Sequence, residues 1–253
     1  MNQETLDELN SLSTPVDLAD EKKLLRAGLY GDFGSGKTTM ACRLVEERGI
    51  IVTTDSAWVV VYKEPEVARK LMRQPYKGFA QLRSIVEAHT EGIEPYASLD
   101  TLIWDTASTG IYRTLRNLVK AKPLNDQRDR DIESWSHYNL VRAMVQETMD
   151  VLTNSKLNII YLMHVQDATE DDVKKGYTGK RGNIPGATFR VIAQEVQLLG
   201  WLYKEKAGAK RVIQLEGSTR ETAKSQVATI PEKLYLQDEI PELVRKWKTT
   251  PLV

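Results

Sequence analysis

Apolar and polar positions fall into a regular pattern from Leu24 onward. Residues 24–30 read as a strand. A glycine-rich loop follows, then a helix over 37–48 closed by Gly49, and a second strand over 50–54. This is a βαβ opening. The next strand is 101–104, and a long helix is predicted over about 132–152, where Trp135, Tyr138, Val141, Val145, Met149 and Leu152 recur at three- and four-residue spacing. Residues 157–163 then form an apolar run of strand length. Helices alternating with short apolar strands predict an α/β fold: a mostly parallel sheet covered by helices on both faces. After residue 194 the period changes, and 195–204 with 210–216 flank Ala207, Gly208 and Ala209 as a β-hairpin added to that sheet. Leu243, Val244 and Trp247 mark a closing helix. Residues 1–20 are polar and acidic, with Leu6, Leu9 and Leu12 ahead of Ser13, Thr14 and Pro15; they read as a frayed terminus or a tail that docks on a neighbour, leaving one domain over 21–253.

Composition narrows the function classes. The 35 basic residues balance 35 acidic ones, so any nucleic-acid site is a local patch rather than a whole-molecule field. Cys42 is the single cysteine, which excludes a disulfide framework and a multi-cysteine zinc site and suits a reducing cytoplasm. No stretch approaches the roughly 18 apolar residues of a membrane span, and the acidic start lacks the form of a signal peptide. A cytoplasmic protein with no membrane partner is expected.

The strongest chemical signal is Gly31, Asp32, Phe33, Gly34, Ser35, Gly36, Lys37 and Thr38, which fits G-x-x-x-x-G-K-[ST] between a predicted strand and a predicted helix. Glycines let backbone N–H groups curl around phosphates, whose charge also meets the positive end of the helix dipole. Lys37 is expected to bridge the β- and γ-phosphates, the Thr38 hydroxyl to ligate Mg²⁺, and Thr39 to line the same cradle. The loop calls for a purine nucleoside triphosphate, ATP, with Mg²⁺, and for ATPase activity. Asp105, ending the apolar run 102–104, is the expected second Mg²⁺ contact, or else a cap on a following helix. Asp55, directly after a strand, either orients the attacking water or forms a turn. His164 ends another strand at the same edge.

The order of these parts, with Trp135 and Tyr138 in the long helix, the strand ending in His164 and the segment Ala223, Lys224, Ser225 after the hairpin, resembles the RecA-like core. More narrowly it is similar to phage-encoded RecA-like ATPases of the single-strand annealing type, over about residues 22–235. That resemblance implies an ATP-driven recombinase or annealing protein on single-stranded DNA, with nucleotide held between subunits of a homo-oligomeric ring or filament. It gives Asp55 the place of a water-activating glutamate, one methylene shorter, and His164 that of the γ-phosphate sensor, with pH sensitivity near neutrality. Residues 165–187 match the mobile DNA-binding loop, where Lys174, Lys175, Tyr177, Lys180 and Arg181 would meet phosphates and a base. Composition alone leaves that loop equally a solvated one, since Asp167, Glu170, Asp171 and Asp172 offset its charge. Lys224, or Arg220 beside it, takes the place from which a neighbour's phosphates are reached. Arg113, Arg116, Lys120, Lys122, Arg128 and Arg130 form a second basic stretch, a DNA patch or a solvated face.

Two other functions fit the loop. A nucleotide kinase would transfer phosphate to a small acceptor, but no arginine-rich lid motif is visible. A binding module would use ATP to order an oligomer on DNA with negligible hydrolysis, a reading that the shorter Asp55 keeps open.

Overall fold

Strand residues alternate between the two faces of a sheet, and in this chain both faces are apolar. In β1 (Arg26–Gly31), Ala27 and Leu29 enter one core and Tyr30 the other. In β5 (Asn158–Gln166), Ile160 and Leu162 join the first core, while Ile159, Tyr161 and Met163 join the second. These positions come from the computed structural model, which describes residues 23–121, 135–167, 170, 179–205, 210–216, 223–227, 229–231 and 233–250.

The other strands are β2 (Gly49–Thr53), β3 (Leu71–Pro75), β4 (Thr101–Asp105), β6 (Arg181–Gly182), β7 (Leu198–Lys204), β8 (Arg211–Gln214), β9 (Lys224–Ser225) and β10 (Leu234–Leu236). They run in the order β10-β8-β7-β1-β5-β4-β2-β3, with β6 on β5 and β9 on β7. From β7 to β3 every pairing is parallel, and the β7–β8 hairpin and β10 extend the sheet antiparallel. The fold is the expected α/β layer structure with its C-terminal hairpin.

One face is covered by α1 (Lys37–Arg43) and α7 (Ile240–Thr249), and the other by α3 (Phe79–Thr90), α4 (Ala107–Ala121), α5 (Trp135–Thr153) and α6 (Gly186–Glu195). A short α2 (Pro65–Ala68) follows the 3₁₀ turn Ala57–Lys63. The spacing read in α5 is its buried face, with Val141, Val145, Met149 and Leu152 in the core. Trp104 anchors that face, stacked on Tyr76 at 5.6 Å, and Gly110 of α4 packs closely on it: a Cβ there would lie 3.0 Å from the Trp104 ring, which would have to shift. Cys42, on the inner face of α1, is buried. No described helix is long and apolar enough to cross a membrane.

Several expectations change in detail. The helix expected over 37–48 stops at Arg43, because the Asp100 carboxylate accepts from the backbone N–H groups of Glu47 and Arg48 at 2.6 and 2.7 Å and holds that stretch as a turn. Glu195, expected to open a strand, ends α6, and the strand begins at Leu198. The tail over 1–20 lies outside the described residues, as do Lys122, Arg128 and Arg130.

Arg26 ties β1 to the end of α5. Its guanidinium is 5% exposed, donates to the carbonyls of Thr153 and Ser155 at 2.9 and 2.8 Å, and also reaches Leu157 O. Arg26→Met is expected to leave these acceptors unpaired and to lower unfolding free energy by about 2–3 kcal/mol in urea denaturation.

Candidate functional site

Parallel strands end at one edge of the sheet, and a loop leaving β1 there meets whatever its neighbours present. The register puts Gly31 opposite His164 and Thr53 opposite Asp105, with β5 lying between β1 and β4. Lys37, Thr38, Asp55, Asp105 and His164 therefore all line one cavity of about 550 Å³, a size that suits a nucleotide.

The loop turns through Gly34 and Gly36, at φ 70° and 97°, values that favour glycine. Lys37 lies over the loop, its ammonium donating to the carbonyls of Gly31 and Asp32, both at 2.8 Å. Burial lowers its pKa, an effect that Asp105, Asp32 and Asp55 oppose. The Thr38 hydroxyl donates to Asp105 at 2.9 Å. Asp105 is 1% exposed, and burial raises its pKa to about 6 against the Thr38 hydrogen bond and the Lys37 charge, with Asp55 adding to the rise. Thr38 and Asp105 supply a hydroxyl and a carboxylate, the hard oxygen donors that Mg²⁺ takes. Among the described residues no cluster of three or more His, Cys, Asp or Glu could hold a metal.

Asp55 is exposed at the cavity wall, its backbone held by Thr53, whose Oγ1 donates to Asp55 O at 2.8 Å. His164 is half-buried. Burial lowers its pKa, Lys37 acts in the same direction, and Asp55 opposes them. The Phe33 ring, 83% exposed, packs on His164 at 4.6 Å between centroids.

Hydroxyl groups invisible as a motif link these parts. Thr106 Oγ1 lies 3.3 Å from Thr54 Oγ1 and 3.5 Å from His164 Nε2, and donates to Thr109 at 3.0 Å, while Ser108 accepts from the His164 backbone N–H at 3.0 Å. The signal in the sequence was a threonine directly after each acidic strand end or before it. Arg43, Lys63, Glu64, Arg211, Gln237 and Asp238 also line the cavity and came from no sequence pattern.

Other expected residues fall elsewhere. Lys224 sits on β9 opposite Leu199, at the end of the sheet where β1 begins, and donates to Gln194 O at 3.3 Å; it does not meet this chain's own cavity. Lys174, Lys175, Tyr177 and Arg220 lie outside the described residues. Lys180 pairs with Asp167 at 2.7 Å. Arg181 is 9% exposed, donates to Ile184 O at 2.7 Å and lies over the Phe189 ring, because β6 turns it inward against β5.

Fold and site define a P-loop nucleotide-binding protein. The chain belongs to the AAA-domain family of P-loop ATPases: the family model described as an AAA domain matches residues 23–227. No curated protein matches the chain. Among solved structures, the crystal structure of the RadB recombinase is similar, with 14% sequence identity and a TM-score of 0.45 over 74% of this chain and 78% of that one.

Asp105 titrates near 6 in the folded chain against an ordinary 3.8, so its ionised form opposes folding above pH 6, and wild-type stability recovers as pH falls from 6 toward 4. Without nucleotide or Mg²⁺, Asp105→Asn is expected to be about 1–3 kcal/mol more stable than wild type at pH 7.5. The gap should close near pH 4, measured by urea denaturation at both values.

Proposed function

We propose that this protein is a Mg²⁺-dependent ATPase whose turnover is coupled to single-stranded DNA, working in recombination or annealing. The observation that carries the proposal is the position of His164. On one side it lines the nucleotide cavity, and on the other it lines a second cavity of about 420 Å³ with Ser108, Thr109, Tyr112, Arg116 and Asn183. A cation, an aromatic ring and hydroxyls beside a helix N-terminus suit a sugar-phosphate chain with a base. The strand carrying His164 continues to Gln166, which pairs with Arg181 at the start of the expected DNA loop's return.

In this reading Lys37 and the loop N–H groups bind and neutralise the β- and γ-phosphates, with Thr38 and Asp105 as the Mg²⁺ donors. Bound Mg²⁺ supplies charge neutralisation at the phosphates. Asp55 orients the attacking water, and His164 with Thr106 senses the γ-phosphate. Phe33, Val60 and Leu236 are exposed apolar groups on the cavity rim, a surface suited to a second copy of the chain, from which Lys224 would reach in.

Phosphate release from ATP with Mg²⁺ is expected to rise on adding single-stranded DNA and to vanish in Lys37→Ala. Turnover indifferent to DNA would reject the coupling. Absence of turnover with retained nucleotide-dependent DNA binding would favour the ordering module, and ADP formed without phosphate release, only when a nucleoside monophosphate is present to accept the phosphoryl group, would favour the kinase. Arg181→Ala should cost about 1–3 kcal/mol of stability through its lost buried hydrogen bonds, read by thermal melting, rather than selectively reduce the salt slope of DNA binding.

A further inference from the structure

A phosphate loop directs N–H groups at its anion, so its carbonyls must find partners elsewhere. Lys37 satisfies those of Gly31 and Asp32. Two more are met from the far end of the chain. Gln237, in the 3₁₀ turn Gln237–Glu239 between β10 and α7, is 4% exposed and donates from Nε2 to the Gly36 carbonyl at 2.8 Å. Arg211, at the start of β8, donates from Nε to the Gly34 carbonyl at 3.4 Å. The same turn is fastened to α1 by the ion pair between Arg43 and Asp238, and Arg43 also pairs with Glu64 at 2.8 Å. The fit is close: a Cβ on Gly36 would overlap the Gln237 amide.

We propose that Gln237 is a positioning residue for nucleotide binding, and that the β10–turn–α7 segment is a working part of the site through it. The inference rests on reading residues 31–38 as the triphosphate cradle. Gly36 directly precedes Lys37, and its carbonyl also accepts the Met40 N–H that opens α1. Pinning that carbonyl fixes where the first N–H groups of α1 and the Lys37 side chain begin. Without the Gln237 donor, the loop spends part of its time in arrangements that do not bind, and apparent affinity falls by the competent fraction. The nucleotide restores the loop once bound, so the cost appears in binding more than in turnover of the complex.

The test compares wild type with Gln237→Met, which keeps length and loses the donor, and Gln237→Glu, which keeps shape and can only accept. Lys37→Ala and Arg211→Met, at an exposed position, run beside them. Each is titrated with a fluorescent ATP analogue and Mg²⁺, its kcat and KM are measured, and its melting temperature is recorded. Both Gln237 variants are expected to bind about three- to tenfold more weakly, with KM rising by the same factor and kcat within about twofold of wild type. Arg211→Met should show a smaller change of the same sign. Wild-type affinity in both Gln237 variants, at a temperature where each is folded, overturns the proposal even if melting temperatures fall. If Lys37→Ala loses binding while the Gln237 variants keep it, the inference alone fails; if wild type binds no nucleotide, the cradle reading fails and the inference with it.

Discussion

Asp105 holds a carboxylate almost wholly out of water at the end of β4, and the neighbouring parts are arranged around that charge. Burial works against ionisation, and the Thr38 hydroxyl and the Lys37 ammonium offset only part of the cost. A site left in deficit of positive charge is primed for a cation, which is what a triphosphate complex brings. The rigid strands on either side keep the carboxylate from relaxing toward solvent, because the Asp105 carbonyl is itself bonded to the Thr54 N–H at 2.7 Å. The sheet thus supplies the precision, and the loop from β1 supplies the adaptable half of the site.

How much of this was legible follows from what leaves a mark in sequence. The loop did, because its glycines, lysine and threonine are required at fixed spacing. Strands β1, β2, β4 and β5 did, because burial on both faces makes continuous apolar runs. β3 did not: Leu71–Pro75 is a half-exposed edge strand carrying Arg73 and Gln74, with no periodic signal. Nor did α4, whose first turn carries the weaker helix formers Ser108, Thr109 and Gly110, the last of them close against Trp104. Among the site residues, those on strand ends came from pattern. Gln237 and Arg211 could not, because their partners lie about two hundred residues away and a backbone carbonyl carries no residue identity.

The same limit explains Arg181. Glycine and lysine around it suit a surface loop open to DNA or solvent, yet pairing of β6 with β5 points the side chain inward, where Gln166, in the amide orientation that satisfies both its ends, accepts from it and donates to Asn183. One position in a loop can be structural while its neighbour stays at the surface, as Lys180 does. Strand pairing, which composition cannot reveal, decides between them.

Cys42 offers a consequence of a practical kind. It is the sole thiol of the chain, lies 1% exposed on the buried face of α1, and burial pushes its pKa well above the ordinary thiol value. The thiolate that reacts with maleimides or peroxide is therefore scarce in the native protein. A cysteine introduced at an exposed position of choice would take a fluorophore or spin label without first removing the native one, and the unlabelled parent would serve as its own blank.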